Sequence, residues 1–183
     1  MINAQAVLLL RDGKLQEAEP IFRQGLAVIK PVETKFASIN DDYRESIAQL
    51  CGSLARCLVL TSEPKPGAAE EAITLAQKAV KLDPHNRLFG NTLALAQYRV
   101  GKFKAARATL DHSMGRSKGG DCRDWFLLAM VLGRQGEKEQ ARKWFDRAVK
   151  QLDSNFKNSE AARTLRAEAA KVLGIKDTTE EGK

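Results

Sequence analysis

The chain has 183 residues, enough for a domain with a core of its own, and 43% of them are hydrophobic against 29% charged. Only five prolines occur, no stretch alternates apolar and polar side chains for long, and no run approaches the roughly 20 apolar residues of a membrane span. This excludes a sheet-rich or helical-membrane protein and predicts an all-α chain, while a net charge of +7 favours acidic partners.

The start, MINAQAVLLLRDGK, has five apolar residues from Ala6 to Leu10 and no basic residue ahead of them, unlike a secretory signal. Three cysteines (Cys51, Cys57, Cys122) follow no framework spacing, so free thiols in a reducing cytoplasm are expected. Residues 3–12 predict a short helix, too short to be stable without packing. The hairpin it opens is therefore expected to fray as a monomer or to dimerise through Leu8, Leu9 and Leu10. A second helix runs from about Leu15, with Pro20 near its start, to about Ile29, where Pro31 ends or bends it.

Tyr43, Ile47, Leu50, Leu54 and Leu58 stand at helical spacing and predict a long helix over 41–60, with Asp41 and Asp42 as its N-terminal cap. The two prolines of TSEPKPG (61–67) predict an irregular connection. The next helix, AAEEAITLAQKAVKL, is acidic at its start and basic near its end, as the helix dipole favours. Residues 87–114 predict a third hairpin about Gly101. In the fourth, over 122–153, Trp125, Leu128, Ala129 and Leu132 form one face before Gly136, and Ala141, Phe145, Ala148 and Leu152 another after it. Ala162, Leu165, Ala169 and Leu173 stripe a last helix over 159–173, suited to cover an open end, and 176–183 reads as a disordered tail.

The turn glycines Gly13, Gly67, Gly101 and Gly136 lie 54, 34 and 35 residues apart. Five residues after each comes alanine (Ala18, Ala72, Ala106, Ala141). Nine after comes Phe22, Ala76, Leu110 or Phe145, and twelve after Gly25, Ala79, Ser113 or Ala148. This pattern resembles the tetratricopeptide repeat, an αα-hairpin of about 34 residues. The expected fold is an all-α solenoid of four hairpins (about 3–31, 41–83, 87–114, 122–153) closed by a capping helix, forming one repeat domain over 1–175. Residues 43–175, above all GGD…DWFLLAM, ARKWFDRAV and LRAEAAKVLGI, are similar to repeat arrays of bacterial multidomain proteins, where they often follow a serine/threonine kinase or a β-propeller. The chain itself has no kinase motif, and it is either a C-terminal segment of such a protein or a small protein with an atypical start.

The resemblance implies a non-catalytic protein-interaction scaffold without cofactor. His85 and His112 form no zinc spacing with the cysteines, and no GxSxG, HExxH or P-loop occurs. Cys122 sits next to a helix start, where a dipole can lower a thiol pKa, but a reactive role is not expected of it. In such arrays the first helices of the hairpins line a groove. The candidate partner-binding residues there are Asn91, Leu95, Tyr98 and Arg99, then Arg123, Phe126, Met130 and Arg134. Their mixed character suits an acidic peptide or protein, with Leu95, Tyr98, Phe126 and Met130 an exposed apolar cluster framed by the arginines. The two-carboxylate clamp of chaperone-tail binders would need residues that Cys57, Thr61, Thr92 and Leu127 do not supply; only Arg123 fits. The alternatives are RNA binding through the basic segment 97–123, in which only Tyr98 and Phe126 read as free aromatics, and a regulatory tail of a larger enzyme.

Overall fold

The computed structural model describes residues 4–29, 41–61, 65–116, 119–156 and 159–175. Among the described residues there are nine α-helices and no strand. They are α1 (Ala4–Arg11), α2 (Leu15–Ile29), α3 (Asp41–Leu60), α4 (Ala68–Leu82), α5 (Arg87–Arg99), α6 (Phe103–Arg116), α7 (Cys122–Arg134), α8 (Lys138–Asn155) and α9 (Glu160–Leu173). Pro31 and the tail 176–183 lie outside the described residues, as do three residues of the 61–67 connection.

The turns explain the glycine register. Gly101 and Gly136 have φ of 76° and 85°, a left-handed conformation that a Cβ disfavours. In both turns, and in the one at Gly13, the same pair of bonds closes the helix. The glycine N–H donates to the carbonyl three residues back, and the next N–H donates to the carbonyl five back: Lys14 to Leu9 at 2.8 Å, Lys102 to Gln97 at 2.9 Å, Glu137 to Leu132 at 3.0 Å. The alanines five residues on, Ala18, Ala72, Ala106 and Ala141, are wholly buried, and so are Phe22, Ala76 and Leu110 in the next register. The repeat pattern is a burial pattern.

The chain divides into two compact units, residues 1–102 and residues 103–183, so that α5 and α6 fall in different units. In the first unit α1 and α2 pair, α3 packs on both, α4 pairs with α3, and α5 packs on α3 and α4. Ile47, Ala48 and Cys51 of α3 meet Ala79 of α4 and Phe89 of α5 in one buried cluster, which Leu26, Ile29 and Tyr43 flank. In the second unit α7 packs on α6 and α8, and α9 lies against both α7 and α8. Within each unit a later helix thus covers both helices of the hairpin before it, which is how repeats bury faces that no single hairpin can bury.

Pro20 is the sixth residue of α2, past the first turn, and the helix runs on to Ile29 without the bond a residue 20 N–H would make to Gln16. Asp41 and Asp42, read as an N-terminal cap, both lie in the first turn of α3, where Asp41 pairs with Arg44 at 3.3 Å. On the first hairpin Val7 and Leu8 of α1 and Val28 of α2 are exposed, whereas Leu9 and Leu10 are half-buried.

Candidate functional site

The start of α7 is built by the GGDCRDW segment. Gly120, at φ 77°, delivers Asp121 as the N-cap, whose carboxylate accepts from the Arg123 N–H at 2.9 Å. Asp124 reciprocates by accepting from the Asp121 N–H at 3.0 Å, a capping box with aspartate at both places. The Trp125 indole N–H reaches back to the Gly119 carbonyl at 2.7 Å, and the Cys122 N–H donates to Gln151 of α8 at 2.6 Å. The first turn of α7 is thereby tied to its loop and to its partner helix.

Arg123 belongs to this lock. Its guanidinium pairs with Asp121 at 2.5 Å and lies 5.8 Å from the centre of the Phe156 ring, leaving the side chain 17% exposed. The expected apolar cluster is not exposed. In the second unit Phe126 and Met130 have no accessible surface, and the Phe126 ring meets Phe145 of α8 edge-on at 5.6 Å. In the first, Leu95 and Tyr98 are 2% and 6% exposed and Asn91 is buried as well. Of the eight candidates only Arg99 and Arg134, each the last residue of its helix, are exposed. The sequence did carry a signal: WFLLAMVL, eight apolar residues in a row, describes a helix buried on all sides, not on one stripe.

The aromatic expectation changes too. Neither Tyr98 nor Phe126 is free; the more exposed tryptophan is Trp144 of α8, half-buried beside Trp125. Within the basic segment, Arg107 pairs with Glu137 and Arg123 with Asp121, so part of its charge is neutralised locally.

In the first unit a cavity of about 520 Å³ opens between α2, the end of α3 and the start of α4, lined by Gln16, Glu19, Pro20, Arg23, Leu58, Thr61, Lys65 and Ala68. Its charges satisfy one another. Arg23 bridges Glu71 bidentately at 2.7 and 2.9 Å and Glu19 at 2.8 Å. That bond to Arg23 holds the Glu71 carboxyl below its usual range.

Cys57 and Cys122 are held protonated rather than activated. Burial, and then the charge of Glu19, pushes Cys57 up to about 12. Burial, and then Asp121, pushes Cys122 up to about 11, the opposite of the dipole-lowered thiol that its sequence position suggests. With iodoacetamide at pH 8, Cys57 and Cys122 are expected to react about a hundredfold more slowly in the folded chain than in guanidinium, as peptide mass spectrometry would show. Comparable rates in both states would contradict the burial. His85 and His112 are exposed, and no cluster of three metal-capable side chains occurs among the described residues. No helix among them is long and apolar enough to cross a membrane.

Residues 125–151 match the family described as tetratricopeptide repeat. A crystal structure of TTC0263, a thermophilic TPR protein of Thermus thermophilus, is similar with a TM-score of 0.55 and 15% identity, over 93% of this chain and 96% of that one. The fold is that of tetratricopeptide-repeat proteins. The MamA RS-1 ArsTM double mutant is similar at a TM-score of 0.53 and 15% identity, over 93% of this chain and 97% of that chain. No curated protein matches the sequence. At such identities the likeness is one of fold, and tetratricopeptide folds generally mediate protein–protein interaction.

Proposed function

We propose that the chain is a non-catalytic scaffold which holds an acidic protein or peptide at the exposed ends of its first helices. The observation that carries this reading is the placing of Arg99 and Arg134. Each ends a first helix, each is exposed, and each stands two residues ahead of a left-handed turn glycine, so the repeat presents the same cation in both units. Leu95 and Tyr98 in the first unit, and Phe126 and Met130 in the second, serve from beneath by fixing the helices that carry the arginines. Asn91 and Arg123 lie further back on the same two helices. A carboxylate suits a guanidinium at a helix end, where the fork can engage two oxygens. Buried free thiols fit a reducing, cytoplasmic setting, and the Thermus thermophilus relative in fold is consistent with a bacterial one.

The test is capture from the source cell's extract with the immobilised wild-type chain and with a variant carrying Arg99→Glu and Arg134→Glu. The variant is expected to lose the wild type's protein partners at an unchanged melting temperature. Full capture by the variant would overturn the arginine assignment. Capture abolished by ribonuclease would move the function to the RNA alternative, with its steep dependence on salt.

A further inference from the structure

The only two tryptophans of the chain, Trp125 on α7 and Trp144 on α8, are neighbours with ring centroids 6.3 Å apart and planes inclined by 42°. Arg147, one helical turn beyond Trp144, lays its guanidinium over both rings, 4.1 Å from the Trp125 centroid and 5.2 Å from that of Trp144. Trp125 is only 6% exposed beneath it, while Arg147 itself is exposed. A guanidinium over aromatic rings gives its positive charge to them and keeps N–H groups for a planar two-oxygen acceptor. It is also held still, so binding such an acceptor costs little side-chain entropy.

Two more exposed cations flank it on α8: Lys143, four residues before, and Lys150, three residues after. At helical spacing the three lie on one face over about 10 Å of helix. Among the described residues none of them has a carboxylate within the 4.0 Å of an ion pair. Two acidic residues of the same helix are engaged elsewhere, Asp146 by Arg142 at 3.0 Å and Asp153 by Arg166 at 3.6 Å.

We propose that Lys143, Arg147 and Lys150 form a docking row on α8 for an acidic polypeptide, with Arg147 as its fixed point. The row is independent of the first-helix surface described above. Its four-then-three spacing matches carboxylates at i, i+3 and i+7 of an antiparallel acidic helix. Single-stranded nucleic acid is the poorer fit, because a base would need an indole face that Arg147 already occupies.

Since both tryptophans lie under Arg147, the intrinsic fluorescence of the full chain reports on the row directly. The first probe is a tryptophan-free helical peptide of about twelve residues with glutamate at i, i+3 and i+7; the second is an oligouridine of about twelve nucleotides. The peptide is expected to give a saturable emission change that weakens as salt rises. Arg147→Gln weakens it about tenfold, and Lys143→Gln and Lys150→Gln, which touch no ring, about threefold each with unchanged circular dichroism and melting temperature. No response to the peptide, a response that both lysine variants leave intact, or tighter binding of oligouridine overturns the proposal.

Discussion

Replacing Phe126 with alanine is expected to lower the unfolding free energy by about 3–5 kcal/mol, the usual cost of deleting a buried phenylalanine. The ring has no accessible surface, and Leu127 beside it and Met130 one turn on have none either. Its edge-on contact with Phe145 joins α7 to α8, and such aromatic pairs contribute about 0.5–1.5 kcal/mol beyond burial. A cavity of ring size between two helices held by many other contacts does not collapse, so the lost contacts are not recovered. Against a total stability of about 5–15 kcal/mol for an ordinary domain, this is a large share. Urea denaturation followed by circular dichroism measures it, and Phe126→Leu should retain most of the stability. A loss below about 1 kcal/mol would mean that the ring faces solvent, and would restore Phe126 as a direct partner contact.

The second large effect is expected at Gly52, in the middle of α3. A Cβ placed there would stand 2.2 Å from Cε1 and 2.3 Å from Cδ1 of Phe89, well inside contact distance. Two effects oppose each other in Gly52→Ala. Alanine favours the helix by about 1 kcal/mol, mostly by restricting the unfolded chain. The clash forces the Phe89 ring, 4% exposed and packed among Ile47, Ala48, Cys51 and Ala79, out of its well, which costs about 1–3 kcal/mol and sometimes more. The ring is stiff and its neighbours are small or buried, so the clash wins. A net loss of about 2 kcal/mol is expected. Phe89→Leu in the Gly52→Ala background should recover part of it, a coupling that a double-mutant cycle reads out. Stabilisation by Gly52→Ala alone would show that α5 approaches α3 less closely than a 2.2 Å separation implies.

These two residues mark the boundary between what the sequence determined and what the tertiary structure decided. Helix positions were legible because the pattern is local: a left-handed glycine closes the first helix at Gly13, Gly101 and Gly136, and a buried alanine five residues on reports where the next helix meets its partner. The long α3 and the last helix α9 follow from the same periodicity. Periodicity names the face that is buried first, but it does not say how many neighbours a helix has. α7 is enclosed by α6, α8 and α9, so Phe126 and Met130, on the side its main stripe leaves open, are buried too. Likewise Gly52 looks in the sequence like one more helical residue, because the ring that needs its missing side chain comes from Phe89, 37 positions away. Arg147 looks like a solvated cation, since nothing in the spacing of α8 shows that Trp125 of another helix lies under it. What a sequence determines by itself is set by backbone conformation and one-dimensional spacing, where each residue's neighbours are its own helix. What only the tertiary structure decides is which side chains from distant positions share a surface, and that depends on interhelical distances the period of a single helix does not contain.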